Sequence, residues 1–433
     1  MAHIDYADGY YDGAVNSAGK PHGKGVFHWS NGDKYEGNFV DGKPNGRGIA
    51  DFANGDKYEG DFVNGNRTGR GTFYWGEKSE WSGDKYEGDY VDNKEHGNGI
   101  YYFADGSKYE GEWKNGNRYG QGTMLYSNGD KYVGSWKNDM RHGYGVISLG
   151  SKKEEAGERY EGGFVDDLPN GNGTYYFADG SKYEGEWKNG ARTGRGALYD
   201  ADGKKKYEGD HLDGNAHGHG TVYLANGDTY VGEWKNGTYS RGSYYFSTGE
   251  KYEGDFVDGK KCGRGTYHYS NGDLYEGDWE NDARHGYGRF HFSNGNEYEG
   301  MFANDRLNGL GTYYFADGKR YKGHFVDGVM CEDGIMRYAD DSKYIGNFAD
   351  NKRNGNGILL YPNGDIYEGN FANDVPNGLG KKFFKKGKIK FKCGEWKNGE
   401  EPSEASKLDR YEKKRLKEIR KLFENRFKYW KFK

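Results

Sequence analysis

Residues 58–75 read YEGDFVNGNRTGRGTFYW, and the alternation inside them is that of two short strands. Tyr58, Gly60 and Phe62 share one face of the first strand, and Gly71, Phe73 and Trp75 share one face of the second. The glycine-rich NGNRTG between them reads as the hairpin connection. The turns that follow such windows are mostly NGD or ADG, strong short-range hairpin signals whose central residues tolerate positive φ. Each window therefore predicts one β-hairpin, and successive windows predict one growing antiparallel sheet.

The same window recurs along the chain. Aligned on Tyr-x-Gly, sixteen copies begin at Tyr11, Tyr35, Tyr58, Tyr86, Tyr109, Tyr132, Tyr160, Tyr183, Tyr207, Tyr230, Tyr252, Tyr275, Tyr298, Tyr321, Tyr344 and Tyr367, and a degenerate seventeenth begins at Lys392. The usual spacing is 23 residues, with 28 from Tyr58 to Tyr86 and from Tyr132 to Tyr160. Those long intervals lie 74 residues apart, the same offset that separates two identical copies of YYFADGSKYEGEWKNG at 101–116 and 175–190. Duplication of a three-window block explains both. A period of this length is the signature of a repeat architecture.

Composition agrees with a repeat rather than with an ordinary core. Hydrophobic residues make up 33% of 433, and 76 are glycine. Mean hydropathy is −1.16, a value that usually accompanies disorder. Against disorder stand 41 Tyr, 23 Phe and 10 Trp. A single sheet has no second layer, so rings must lie across their own sheet, and glycines leave the space for them. Tyrosine suits this if its ring is covered and its hydroxyl stays in water. The fifth window position is aromatic except at Val15 and His211, where His211 reads as a packing substitute. Glu, Asp, Lys and Thr fall on the opposite, solvated face.

YEGxW/F followed by NGxxxGxG closely resembles the MORN repeat, over roughly residues 11–399. The resemblance implies an all-β repeat: an elongated, twisted, single-layer antiparallel sheet of stacked β-hairpins, about 17 windows of ~23 residues, on the order of 160 Å long. Many MORN proteins without a catalytic domain serve cytoskeletal structures, radial-spoke heads of cilia and cortical complexes among them. The resemblance thus implies a non-enzymatic scaffold in the cytoplasm, at the cytoskeleton or in the axoneme of a cilium or flagellum. The family also records a proposed membrane role, which leaves a peripheral adaptor on anionic phospholipid as the alternative.

No catalytic motif competes with this reading: Walker loops, nucleophile elbows and HExxH are missing. The NGD and ADG clusters lack the acidic spacing of calcium loops, so no metal and no cofactor is expected. Cys262, Cys331 and Cys393 are scattered and predict neither a disulfide framework nor a zinc site. His96, His142, His217 and His285 stand where Asn is usual and read as turn residues tolerant of the left-handed region. No export signal precedes the windows and no run reaches membrane-spanning length, so secreted aromatic repeats are set aside.

Net charge is −5, but residues 381–433 hold 20 Lys/Arg against 8 Asp/Glu, which leaves the body at −17. An acidic body disfavours nucleic acid. Two five-residue expansions, near 77–85 and 151–159, enlarge turns; Trp81 in the first is a candidate partner anchor, unless it packs back on the sheet. Val133, Val231 and Ile345 interrupt the glutamate column (Glu36, Glu59, Glu87, Glu110) and are candidate contact patches.

The end of the chain, 400–433, differs in kind from the repeat body 1–399. SEASKLDRYEKKRLKEIRKLFENRFKYWKFK has helical apolar spacing and 12 Lys/Arg against 5 Asp/Glu. It predicts a basic amphipathic helix of about 25 residues, with Ser403 or Ser406 as its cap. Arg415, Ile419, Leu422, Phe423, Phe427 and Trp430 are the candidate partner-binding face. Lys413, Lys414, Lys417, Arg420 and Lys421 are candidate contacts to an anionic surface. The same helix is expected to cover the open last strand. Expected partners are proteins of a larger assembly, a second copy through terminal strands or the helix, or anionic lipid through the tail.

Overall fold

The computed structural model describes residues 1–150, 157–387, 390–403, 405–406 and 408–428. By internal contacts the chain divides into two units, Met1–Gly220 and Thr221–Lys433. Each is built of antiparallel strands that pair with their neighbours in sequence, and the second also carries the helix Arg410–Phe427. The hairpin-repeat reading holds window by window. Lys57–Val63 pairs with Asn66–Tyr74, Tyr58 opposite Phe73 and Gly60 opposite Gly71, and Asn66–Tyr74 pairs onward with Lys85–Val91.

The turn chemistry is distributed differently from the sequence expectation. The connection inside a window is two residues, not six: Asn64 at φ 53 and Gly65 at φ 89, both positive as a type I′ turn requires. The rest of NGNRTG belongs to the next strand, opposite a register shift between Gly60 and Phe62. In the NGD turn Asn31 is absent from the positive-φ residues and Gly32 alone takes φ 96, while Asn31 Oδ1 accepts the Asp33 N–H at 3.0 Å. His96, His142, His217 and His285 likewise lie within strands, outside the left-handed region; the glycine after each, such as Gly97 at φ 60, makes the bend.

In each unit the core is a row of rings on one face of the sheet. Phe62 meets Tyr58 at 5.1 Å and 89°, and the Tyr35 of the preceding window at 4.9 Å and 80°. Each such edge-to-face pair contributes about 0.5–1.5 kcal/mol beyond area burial. Tyr58 folds back over Gly60 and Gly71, where an added Cβ would lie 2.4 and 2.2 Å from its hydroxyl. The hydroxyl is not in water, contrary to the sequence expectation: Tyr58 is 0% exposed and donates to the Asp61 carbonyl at 3.1 Å. The register shift frees that carbonyl, and the phenol supplies its donor. Burial pushes the phenol up to about 12. His211 occupies a ring position, 5.1 Å from both Tyr183 and Tyr207.

Successive hairpins are stitched at their turns in several ways, two of which recur most. The Arg118 N–H and Nε both donate to Asp139 Oδ1, at 2.9 and 3.1 Å, and Nη2 donates to the Asp139 carbonyl at 2.8 Å. Arg141–Asp167, Arg284–Asp305 and Arg353–Asp374 repeat the arrangement. Where proline stands in place of that arginine there is no N–H to satisfy, and the next turn carries glycine: Pro21 with Gly42, Pro44 with Gly65, Pro169 with Gly190, Pro376 with Gly399; Glu95, Arg192 and Leu307 face glycine as well.

Candidate functional site

The face opposite the rings carries three cross-strand rows in each unit. In the first unit Lys57, Glu59 and Asp61 alternate along one strand and Arg70, Thr72 and Tyr74 along the next. Lysine pairs within its own strand, as Lys85 Nζ with Glu87 at 2.7 Å, and lies over the neighbouring ring, 4.2 Å from the Tyr102 centroid. Arg47, Glu59, Arg70, Thr72, Glu87 and Ile100 line an open groove of about 530 Å³ there. In the second unit Arg241, Glu253, Arg264, Glu276, Tyr287, Arg289 and Glu299 line a groove of about 640 Å³. Within it Tyr287 donates to Glu299 at 2.5 Å, which with Arg289 at 3.2 Å holds that carboxyl below the ordinary range.

The character of this face changes near its end. Following the glutamate row across the second unit, Glu253, Thr266, Glu276, Arg289, Glu299, Thr312 and Lys322 give way to Ile335, Ile345 and Ile358 before Glu368 and Lys381 resume. The adjacent row turns apolar too, with Leu360, Ile366, Phe383 and Phe391. The helix lies on this patch. Ile419, Phe423 and Phe427 are buried with Ile366, Phe383 and Phe391, and Leu408 and Leu416 pack beside them. Arg415 donates to Glu368 from Nε at 3.1 Å and Nη2 at 2.5 Å, and Lys381 donates to the buried Glu412 at 2.7 Å. Lys343 stands over Phe427, 5.6 Å from its centroid.

The helix is 18 residues long and starts later than the spacing predicts. Its cap is Asp409, whose Oδ1 accepts the Glu412 N–H at 2.8 Å, rather than Ser403 or Ser406. Ser406 is taken by a short strand, Ala405–Ser406, paired with Phe391 and Lys392. That strand meets the outer side of Phe391–Trp396, while the helix covers the face instead of the edge.

The predicted site residues fall into separate places. Arg415, Ile419, Phe423 and Phe427 are brought together under the helix, against the chain's own sheet, with Leu422 half-buried beside them. Trp430 lies outside the described residues. Lys413, Lys414, Lys417, Arg420 and Lys421 are all exposed on the outer side of the helix. Trp81 is 56% exposed, on a loop closed by the Ser79 N–H on the Gly76 carbonyl at 2.9 Å and the Asp84 N–H on the Trp81 carbonyl at 3.0 Å. The second expanded turn is outside the described residues up to 156. Of the three interruptions of the glutamate column, Val133 and Val231 are 44% exposed and Ile345 packs against the helix cluster. Missed in the sequence was the docking patch itself: Ile335, Ile358 and Ile366 at positions that are polar in most other windows, and Leu360 where tyrosine is commonest, a signal readable once the two faces are separated.

Among the described residues no group of three or more His, Cys, Asp or Glu is placed to hold a metal ion. No helix among them is long and apolar enough to cross a membrane. Burial pushes the Cys262 and Cys331 thiols up, away from the reactive thiolate.

A hairpin sheet with one ringed and one charged face, repeated at this spacing, defines a repeat scaffold. The MORN repeat model matches sixteen segments from 11–34 to 367–389, and the chain belongs to the MORN-repeat family. No curated protein matches it. Among solved structures, the TCP domain of SAS-4 (dCPAP) of Drosophila melanogaster, in complex with a proline-rich motif of Ana2, is 16% identical. That match covers 40% of this chain and 89% of the other, with a TM-score of 0.21. The wild-type TCP10 domain of Danio rerio CPAP is 8% identical over 63% of this chain and 99% of the other, with a TM-score of 0.16.

Proposed function

We propose that the chain is a non-enzymatic scaffold that holds protein partners of a larger assembly along its glutamate-bearing face. One observation carries this: the chain's own helix docks on that face, joined to the glutamate column by Arg415 on Glu368. The grooves upstream offer the same glutamates at the same strand spacing, with arginine and isoleucine between them. Family analogy supports a cytoskeletal placement, of the radial-spoke or cortical kind. Trp81, exposed on a closed loop, is a second contact.

The test is co-purification of partners with the intact chain and with Glu59→Lys/Glu87→Lys/Glu110→Lys. Loss of the same partners from the charge-reversed chain is the expected result. An unchanged set of partners overturns the role of this face.

A second reading concerns the exposed Lys413, Lys414, Lys417, Arg420 and Lys421, a cationic strip suited to anionic lipid. Because Ile419, Phe423 and Phe427 are occupied by the sheet, such contact rests on charge. Co-sedimentation with phosphatidylserine vesicles that reversal of these five charges leaves intact sinks it.

A further inference from the structure

The two terminal edge strands are treated differently. The outer side of Phe391–Trp396 is met at Phe391 and Lys392 by Ala405–Ser406. At the other end Ala2–Tyr6 pairs on one side with Gly9–Val15, and among the described residues no strand pairs with its other side. An uncovered edge presents a row of backbone donors and acceptors ready to accept another strand.

The side chains of this edge say which strand fits. Ile4 stands opposite Tyr11 and packs against the ring face. Ala2 and Tyr6 share that face by alternation, and the Tyr6 ring lies 5.5 Å from Phe27. His3 and Asp5 point to the other face, where His3 Nδ1 lies 2.6 Å from Asp12 and Nε2 lies 3.3 Å from Asp5. An added antiparallel strand must keep ring face with ring face, since a slip of one residue exchanges the faces. If that strand is another Ala2–Tyr6, three registers satisfy the condition with at least three residues paired. Centring on His3 sets histidine against histidine, and centring on Asp5 sets carboxylate against carboxylate. Centring on Ile4 sets Ile4 against itself, the small Ala2 against the large Tyr6, and His3 against Asp5 twice.

We propose that a second copy of this chain pairs on this edge, Ala2–Tyr6 against Ala2–Tyr6, antiparallel and centred on Ile4. The contact is isologous, so it closes as a dimer and leaves no further edge at the join. It is independent of the scaffold reading above, because it uses neither the grooves nor the helix.

Light scattering on the eluting full chain tests it, with two single charge variants. His3→Asp places aspartate against Asp5, and Asp5→Lys places lysine against His3. Below about pH 6.5, where imidazole carries its proton, each is expected to weaken self-association on the order of tenfold, two like-charge pairs having replaced two opposite ones. Mixing the two variants sets the introduced aspartate against the introduced lysine, and Asp5 of one chain against His3 of the other. A heterodimer is therefore expected to return, and this recovery also shows that both variants are folded. In a chain whose Cys262, Cys331 and Cys393 are serine, Ile4→Cys is expected to oxidise to a covalent dimer, and His3→Cys is not. A monomeric wild-type chain up to its solubility limit overturns the proposal. So do single variants that dimerise like wild type, or a mixture that does not recover.

Discussion

Arg415 and Glu368 lie 47 positions apart in sequence and share one ion pair, Nη2 to Oε1 at 2.5 Å, across the boundary between helix and sheet. The pair fixes where along the sheet the helix sits. Both side chains keep contact with solvent, at 40% and 25% exposure, so the pair orients more than it stabilises.

Its removal is therefore expected to be mild. In a double-mutant cycle, Arg415→Ala with Glu368→Ala should give a coupling of about 1 kcal/mol or less. Ile419→Ala, which empties a buried position at 1% exposure, should cost about 2–5 kcal/mol of helix docking. Limited tryptic cleavage within 410–428 reads both: cleavage rises sharply for Ile419→Ala and little for Arg415→Ala.

The Tyr58 ring over its two glycines sets a second expectation. Gly71→Ala puts a methyl into that ring and is expected to cost about 1–3 kcal/mol by urea denaturation. Tyr58→Phe removes the donor to the Asp61 carbonyl and costs about 1 kcal/mol. A neutral Gly71→Ala refutes the packing account.

The stitching between hairpins makes an unusual compensation testable. Asp139→Gly removes the side-chain acceptor of the Arg118 N–H and Nε, leaving Nη2 on the residue-139 carbonyl as Arg192 Nη2 lies on that of Gly214, and is expected to lower stability by about 1 kcal/mol. Arg118→Pro together with Asp139→Gly recreates the Pro44–Gly65 junction and should recover much of that loss. The measurement is the urea midpoint of the single and double variants; a double variant no better than the single removes the pairing rule.

His211 gives the first unit a pH dependence. Burial, with Arg192 nearby, lowers its pKa from the ordinary 6.5, so the folded state holds it neutral between Tyr183 and Tyr207. A folded pKa below the unfolded one means the contribution is whole above about 6.5 and is lost as pH falls below that value through the folded one. Thermal midpoints of the wild type should drop on acidification across that window. His211→Phe, which restores the usual ring, should flatten the drop; equal slopes in the two proteins would show that His211 is not the group responsible.

Much of this was legible in the sequence because each hairpin touches only its neighbours. Tyr58, Gly60 and Phe62 in alternation declare a strand and its two faces, and the spacing of 23 declares the repeat, without any long-range information. Local pattern did not reveal which residues the backbone would leave unsatisfied. The register shift beside Gly60 frees the Asp61 carbonyl, and that is why the tyrosine hydroxyl turns inward instead of meeting water.

The helix marks the same division. Its existence and its apolar side, Ile419, Phe423 and Phe427, follow from periodicity. Its start at Asp409 and its place on the sheet were settled by tertiary structure: Ser406 is drawn into a strand with Phe391, and Ile335, Ile345 and Ile358 make one stretch of a charged face apolar. The sequence by itself determined a repeated hairpin with a ringed and a charged face, because those contacts are local. The contacts that join residues 335–368 to residues 415–427 are not, and tertiary packing together with the Arg415–Glu368 pair decided them.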